Sequence, residues 1–135
     1  MTFHLTIVTP DGEFFSGEAE AVYVQTTGGR IGILPGHVEY VAALGMGEAK
    51  IVYDGNERTA ACIGGMITAA KNDVRIVATT FEWADEIDVD RAKLAEEKAR
   101  KLLEDKTLSD NDIRLAEARL KRALVRIDAG TNVKR

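Results

Sequence analysis

Five cations decide what chemistry this sequence can do. Arg91 and Lys98 lie in one charged stretch, and Arg119, Arg122 and Arg126 recur in a later one at three- and four-residue spacing. Residues spaced in that way share one side of an α-helix. A guanidinium presents a rigid fork of donors that matches phosphate or carboxylate oxygens, whereas the ammonium of Lys98 is a point charge. The chemistry on offer is anion recognition. Asp88 stands three residues before Arg91, within Asp85-Glu86-Ile87-Asp88-Val89-Asp90-Arg91-Ala92. It is a good helix N-cap, and Asp90 puts a carboxylate in the first turn, where the helix dipole favours it. Arg91 is misplaced by the same rule, because a cation near a helix N-terminus is mildly unfavourable.

Two elements must position these groups. From Val89 to Asp128 the chain is almost all Ala, Leu, Lys, Arg, Glu and Asp. Ala92, Ala95, Ala99, Leu102 and Leu103 form one apolar seam, and Ile113, Ala116, Leu120, Ala123 and Ile127 form another. Lys106-Thr107-Leu108-Ser109-Asp110 separates them, and Ser109 followed by Asp112 resembles a capping arrangement. So short a break predicts an antiparallel two-helix hairpin over residues 89–128. At about 100° per residue, both cationic stripes lie on the same side of that hairpin, roughly 80–100° from the seams. Antiparallel register then sets Arg91 near Arg126, and Lys98 near Arg119. Arg91, Arg122 and Arg126 are expected to converge beside Asp88. The blander alternative is a pair of solvated flanks, paired with Glu96, Glu97 or Glu117 and worth little. An alanine seam buries little area, so the hairpin is expected to undock or open readily.

Ahead of the hairpin, residues 1–84 change character every few residues. Phe3, Leu5 and Ile7 alternate with polar residues as in a half-buried strand. Thr9-Pro10-Asp11-Gly12 is a turn, and Asp54-Gly55-Asn56 and Lys71-Asn72-Asp73 each join two strand-like runs. Counting the Gly28-Gly29, Gly45/Gly47 and Gly64-Gly65 breaks as strand ends gives about ten short strands, with no helix-length segment between them. That pattern predicts an all-β sandwich or barrel, in which Met66 and the Val and Ile positions are core by default. Residues 85–88 form a junction, and residues 129–135 are expected to be a flexible tail.

Several function classes are excluded. Net charge is −4, which gives nucleic-acid binding no electrostatic support. The single cysteine, Cys62, allows neither an intrachain disulfide nor a cysteine-based metal site, and no other metal-ligand spacing occurs. The N-terminus lacks the charged region of a signal peptide, and no apolar run has the length of a membrane span. His37 has no nucleophile or metal-ligand spacing near it, which favours a structural or interface role. The Gly28-Gly29…Gly32 run is not followed by Lys-Ser/Thr, so it is no phosphate loop. A free enzyme of sandwich fold finds no catalytic constellation here.

Two segments resemble a known family. Gly29-Arg30-Ile31-Gly32-Ile33-Leu34-Pro35-Gly36-His37 is similar to the G-x-x-G-[IV]-L-P-x-H segment of epsilon subunits of bacterial F-type ATP synthase. Ile87-Asp88-Val89-Asp90-Arg91-Ala92 resembles the [IL]-D-x-x-R-A motif of the members that bind ATP. The resemblance implies a ten-stranded sandwich followed by a helical hairpin, in a non-catalytic rotor subunit of the central stalk. The sandwich would bind the gamma subunit and sit on the c-ring, with Ile31, Leu34 and His37 at a partner interface. The hairpin would fold against the sandwich, or extend toward the catalytic alpha and beta subunits and inhibit ATP hydrolysis. ATP would be a regulatory ligand, with no cofactor required, and the complex would place the chain on the cytoplasmic side of the bacterial plasma membrane as a peripheral subunit. Carried over by position, the ATP contacts would be Glu82, Asp88, Arg91, Ala92, Arg122 and Arg126, with Asp88 either fixing Arg91 or touching base or ribose. Arg122-Ala123-Leu124-Val125-Arg126 resembles the family's R-A-x-x-R segment. Lys98 stands where strong binders have arginine, which implies a weaker contact, and Glu39 stands where the family usually has proline. The alternative is the same rotor subunit with a hairpin that docks on catalytic subunits without sensing ATP.

Overall fold

A computed structural model of the chain describes residues 1–133. Seven strands come first: β1 (Phe3–Thr9), β2 (Gly12–Ala19), β3 (Ala21–Thr26), β4 (Gly29–Ile33), β5 (Tyr40–Tyr53), β6 (Asn56–Ala70) and β7 (Asp73–Trp83). A 3-10 turn (Ala84–Glu86) leads to helices α1 (Val89–Leu103) and α2 (Asp110–Val133). The strands hydrogen-bond in the order β2-β1-β7-β6-β5-β3-β4. All pairings are antiparallel except β1 with β7.

The sheet folds over itself because its three longest strands serve both layers. β1 pairs with the first half of β7, up to Val77, whereas β3 meets β5 mainly around Lys50–Val52. The bend falls where Leu44 pairs with Gly65 and Met46 with Ile63. Gly64 and Gly65 have φ of +70° and +121°, a region that L side chains rarely adopt. A Cβ at Gly65 would run into the Val77 carbonyl. β7 changes phase at the same place, burying Val74, Ile76 and Ala78 and then Phe81 and Trp83. One core results, with Phe3, Leu5 and Ile7 facing Val22, Val24 and Ile51. The expected strand count of about ten falls to seven because backbone pairing continues through the glycine breaks in β5 and β6.

Both helix starts are capped as the sequence predicts. The Asp88 carboxylate accepts from the Arg91 amide at 3.0 Å, and the Ser109 hydroxyl accepts from the Asp112 amide at 3.2 Å. The seam buries Ala92 and Ala99 against Ala116 and Ala123, each pair one heptad apart, while Ala95 stays exposed and Leu102 is 37% exposed. α2 outlasts expectation. Residues 129–133 are helix, and Ala129 is fully buried with Ala61, Ala84 and Ile87, so this part of the expected tail is a docked helix end. The remainder of that expectation, residues 134–135, lies outside the described residues. Gly130 is admitted in a helix because its backbone crosses the junction closely. A Cβ there would come within 2.6 Å of Val89.

Candidate functional site

The hairpin lies on the outer face of the second layer, and this explains an unusual run in β6. Ala60, Ala61, Cys62 and Ile63 are all buried, although alternate residues of a strand point to opposite faces. Ala60 and Cys62 face the sandwich core, and Ala61 packs with Ala84, Ile87 and Ala129 under the helices. Burial pushes the Cys62 thiol up to about 12, so it is an inert apolar side chain at neutral pH. The junction is tied to the sandwich by Arg58. Its guanidinium lies 4.2 Å from the Trp83 ring centroid and donates to Asp85 at 3.0 Å, with Glu86 at 3.6 Å. The Asp85 hydrogen bond holds the Arg58 guanidinium above its ordinary value.

Four clefts surround Arg126, which reaches from α2 toward the end of β7. Its Nε donates to Glu82 Oε1 at 2.6 Å, an ion pair whose side chains are 30% and 37% exposed. One cleft, of about 530 Å³, is lined by Glu82, Asp88, Arg91, Ala92 and Arg126, together with Glu86, Ile87 and Ala95. That volume is within the range of about 300–1,000 Å³ usual for small-molecule sites. The second, of about 340 Å³, is a groove along the hairpin lined by Ala92, Ala95, Ala99, Leu102 and Ala123 together with Lys98, Arg119, Arg122 and Arg126. The other two continue under α2, past Thr79 and Thr80.

Five of the sequence-derived contacts, Glu82, Asp88, Arg91, Ala92 and Arg126, are thus brought into one cavity. Arg122 and Lys98 are not in it. They line the adjoining groove, because Arg122 sits one turn farther from the junction than Arg126, about 6 Å along the axis. Arg91 and Arg126 do meet beside Asp88, and Lys98 and Arg119 do share a groove. Glu86 was missed as a lining residue, since it reads only as junction. Among the described residues, the side chains of Arg91, Lys98, Arg119 and Arg122 form no ion pair, whereas Arg100 and Lys101 pair with Glu96 and Glu97 on α1. Among the same residues, no group of three or more His, Cys, Asp or Glu is placed to hold a metal ion.

The residues expected at a partner interface divide differently. Leu34 is 54% exposed, whereas Ile31 is half-buried against the core. His37 is engaged internally: its ring nitrogens lie 3.1 Å from the Leu34 carbonyl and 2.5 Å from the Ala70 carbonyl, and its ring meets Phe3 edge-on. Met66 and Val77, expected in the core, are about half exposed instead. They pair across the first layer and point away from the core, which the alternation of β6 and β7 requires once Ile67 and Ile76 point inward.

Comparison with known proteins fits this architecture. The sandwich, residues 2–84, matches the family model described as ATP synthase, Delta/Epsilon chain, beta-sandwich domain, and residues 85–130 match the model for the long alpha-helix domain. The chain belongs to the ATP synthase delta/epsilon chain family. Among its relatives, the ATP synthase epsilon chain of Ruminococcus albus is 42% identical over 93% of each chain. That of Bacillus velezensis is 40% identical over 97% of this chain and 98% of its own. These are epsilon chains of bacteria, and the epsilon chain is a non-catalytic subunit of ATP synthase. The fold is also that of a chain in the Euglena gracilis mitochondrial ATP synthase (OSCP/F1/c-ring), with a TM-score of 0.81 at 20% identity, covering 98% of this chain and 81% of that one. Among the described residues, no helix is long and apolar enough to cross a membrane.

Proposed function

We propose that the chain is a rotor subunit that links the gamma subunit to the c-ring and restrains ATP hydrolysis through its hairpin, with ATP favouring the folded hairpin. The complex would hold it on the cytoplasmic face of the bacterial membrane, as a peripheral subunit. One observation carries the ATP reading: Glu82 from β7, Asp88 from the junction, Arg91 and Ala92 from α1 and Arg126 from α2 line a single cavity. These residues come from four elements, so the cavity exists only while the hairpin is folded back. A ligand that binds there stabilises the folded form by its differential affinity, about 1.4 kcal/mol at tenfold its Kd. The partner surface is supported by the apolar strip on the first layer, where Val41, Met66 and Val77 lie exposed on neighbouring strands.

A second reading keeps the subunit and drops the ligand. Leu94 and Leu115 are 60% and 49% exposed on the hairpin, and Glu82 already engages Arg126. Both facts favour a hairpin that docks on the catalytic subunits without nucleotide. Calorimetry of the whole chain with ATP separates the two. Saturable heat below millimolar ATP, abolished by Asp88→Ala with Arg91→Ala, supports the sensor. No heat at millimolar ATP leaves the docking reading, for which removing residues 88–135 from the assembled complex should raise ATP hydrolysis.

A further inference from the structure

The cationic groove holds a residue that none of the motifs includes. Arg119 lies on the rim opposite Lys98, with Arg122 and Arg126 following toward the junction. Arg126 and Arg119 are seven residues apart on α2, so this lane runs for about 10 Å. No Asp or Glu lines the groove. The adjoining cavity at the junction carries three carboxylates, those of Glu82, Glu86 and Asp88, beside the cations of Arg91 and Arg126, the latter already paired with Glu82. Any ligand that spans both therefore meets a marked polarity. A phosphate chain meets cations free of carboxylates in the lane, while an amine-bearing base or ribose hydroxyls find acceptors at the junction, where both signs of charge are present. Apart from Leu102, the apolar lining of the lane is alanine, which leaves room for an anion beside the cations.

Resting on the reading that ATP binds this cleft, we infer that Arg119 holds the terminal phosphate, together with Lys98, and so sets the preference for nucleoside triphosphate over diphosphate. The junction fixes one end of the ligand and the direction in which it points. Each added phosphate then reaches one step farther from Arg126 toward the loop, so the last of the three falls at Arg119 and Lys98. Lys98 offers only a point charge, and Arg119 supplies the bidentate fork from the facing helix. In the folded hairpin Arg119 is exposed, and among the described residues its side chain makes no ion pair, so replacing it removes no internal support.

The test is calorimetry of the full chain with ATP and with ADP, comparing the unaltered protein, Arg119→Ala and Arg114→Ala. Arg114 is exposed, lines none of the four clefts, and controls for loss of charge alone. Arg119→Ala should weaken ATP about tenfold or more, the size of one lost charge-assisted contact, and change ADP less than about threefold. Arg114→Ala should leave both alone. Equal losses for ATP and ADP, no loss for either, or an equal effect of Arg114→Ala would overturn the assignment while the ATP site itself stands. If the unaltered chain binds no ATP at millimolar concentration, the site and the role of Arg119 fall together.

Discussion

Replacing Glu82 by Gln tests what holds the hairpin down. The Arg126–Glu82 contact is the one ion pair among the described residues that joins the sandwich to a helix of the hairpin. Gln keeps an acceptor at the same place, so the substitution removes charge assistance and little else. Charge-assisted hydrogen bonds contribute about 1.5–3 kcal/mol and neutral ones about 0.5–1.5 kcal/mol. Both partners are about a third exposed, so solvent screening reduces the difference to about 0.5–1 kcal/mol. The hairpin should then open about two to five times more often, read as faster amide exchange along α2 with β1 and β6 unchanged. The unaltered protein should lose the same protection in high salt, and Glu82→Gln should be much less sensitive to salt. If α2 exchange is unmoved, or rises together with that of the central strands, the ion pair does not latch the hairpin, and the apolar contact of Ala129 with Ala61, Ala84 and Ile87 holds it on the sandwich.

Three further outcomes follow from the geometry. Arg58→Ala removes the cation beside the only tryptophan, Trp83, and unties Asp85 and Glu86; it should shift Trp83 emission and loosen the junction by about 1 kcal/mol, seen as faster cleavage at residues 84–88. Gly65→Ala should cost about 3 kcal/mol or more in urea unfolding, because a Cβ there meets the Val77 carbonyl at a φ of +121°. Cys62 makes stability depend on alkaline pH. Its folded value, pushed up to about 12 from 9.0, means that the unfolded chain loses the proton first. Below 9.0 the thiol is neutral in both states; above it, stability should fall by about 1.4 kcal/mol per pH unit until the folded thiol ionises near 12. Cys62→Ala should lack that component, and an identical pH profile for the two proteins would refute the assignment.

The sequence carried the helix caps and the seam, because these are local. Asp88 and Ser109 each bond an amide three residues away, and Ala92/Ala99 and Ala116/Ala123 follow helical period. Strand number was less legible. A Gly-Gly pair reads as a break in any local window, yet Gly65 stays paired to both Leu44 and Ala78 through the bend. The end of α2 is illegible locally for a related reason. Gly130 looks like a stop signal, and only the nearness of Val89 and Ile87 explains its place inside a helix. The motif and the rotational offsets point to the cavity residues, and antiparallel register pairs Arg91 with Arg126 and Lys98 with Arg119; Arg122 falls outside the cavity because it sits one turn from Arg126 along the axis, a rise that its angular position does not carry. Met66 and Val77 could not be told from core residues, because apolar character alone does not say which face of a strand is covered.

The alanine seam matters because it keeps the competing terms similar in size. A buried methyl contributes about 0.8 kcal/mol, so the four seam alanines supply about 3 kcal/mol, Ala129 on the sandwich about one methyl more, and the ion pair less than about 1 kcal/mol. A ligand at ten to a hundred times its Kd contributes about 1.4–2.7 kcal/mol. On the proposed reading this is enough to decide whether the hairpin stays folded. A leucine seam would remove that choice. Each side chain would bury roughly 2 kcal/mol more, and the folded hairpin would persist with or without nucleotide. Leucines would also widen the spacing between the helices and move Lys98 away from Arg119, so the small residues that weaken the seam are those that bring the facing cations within reach of one anion.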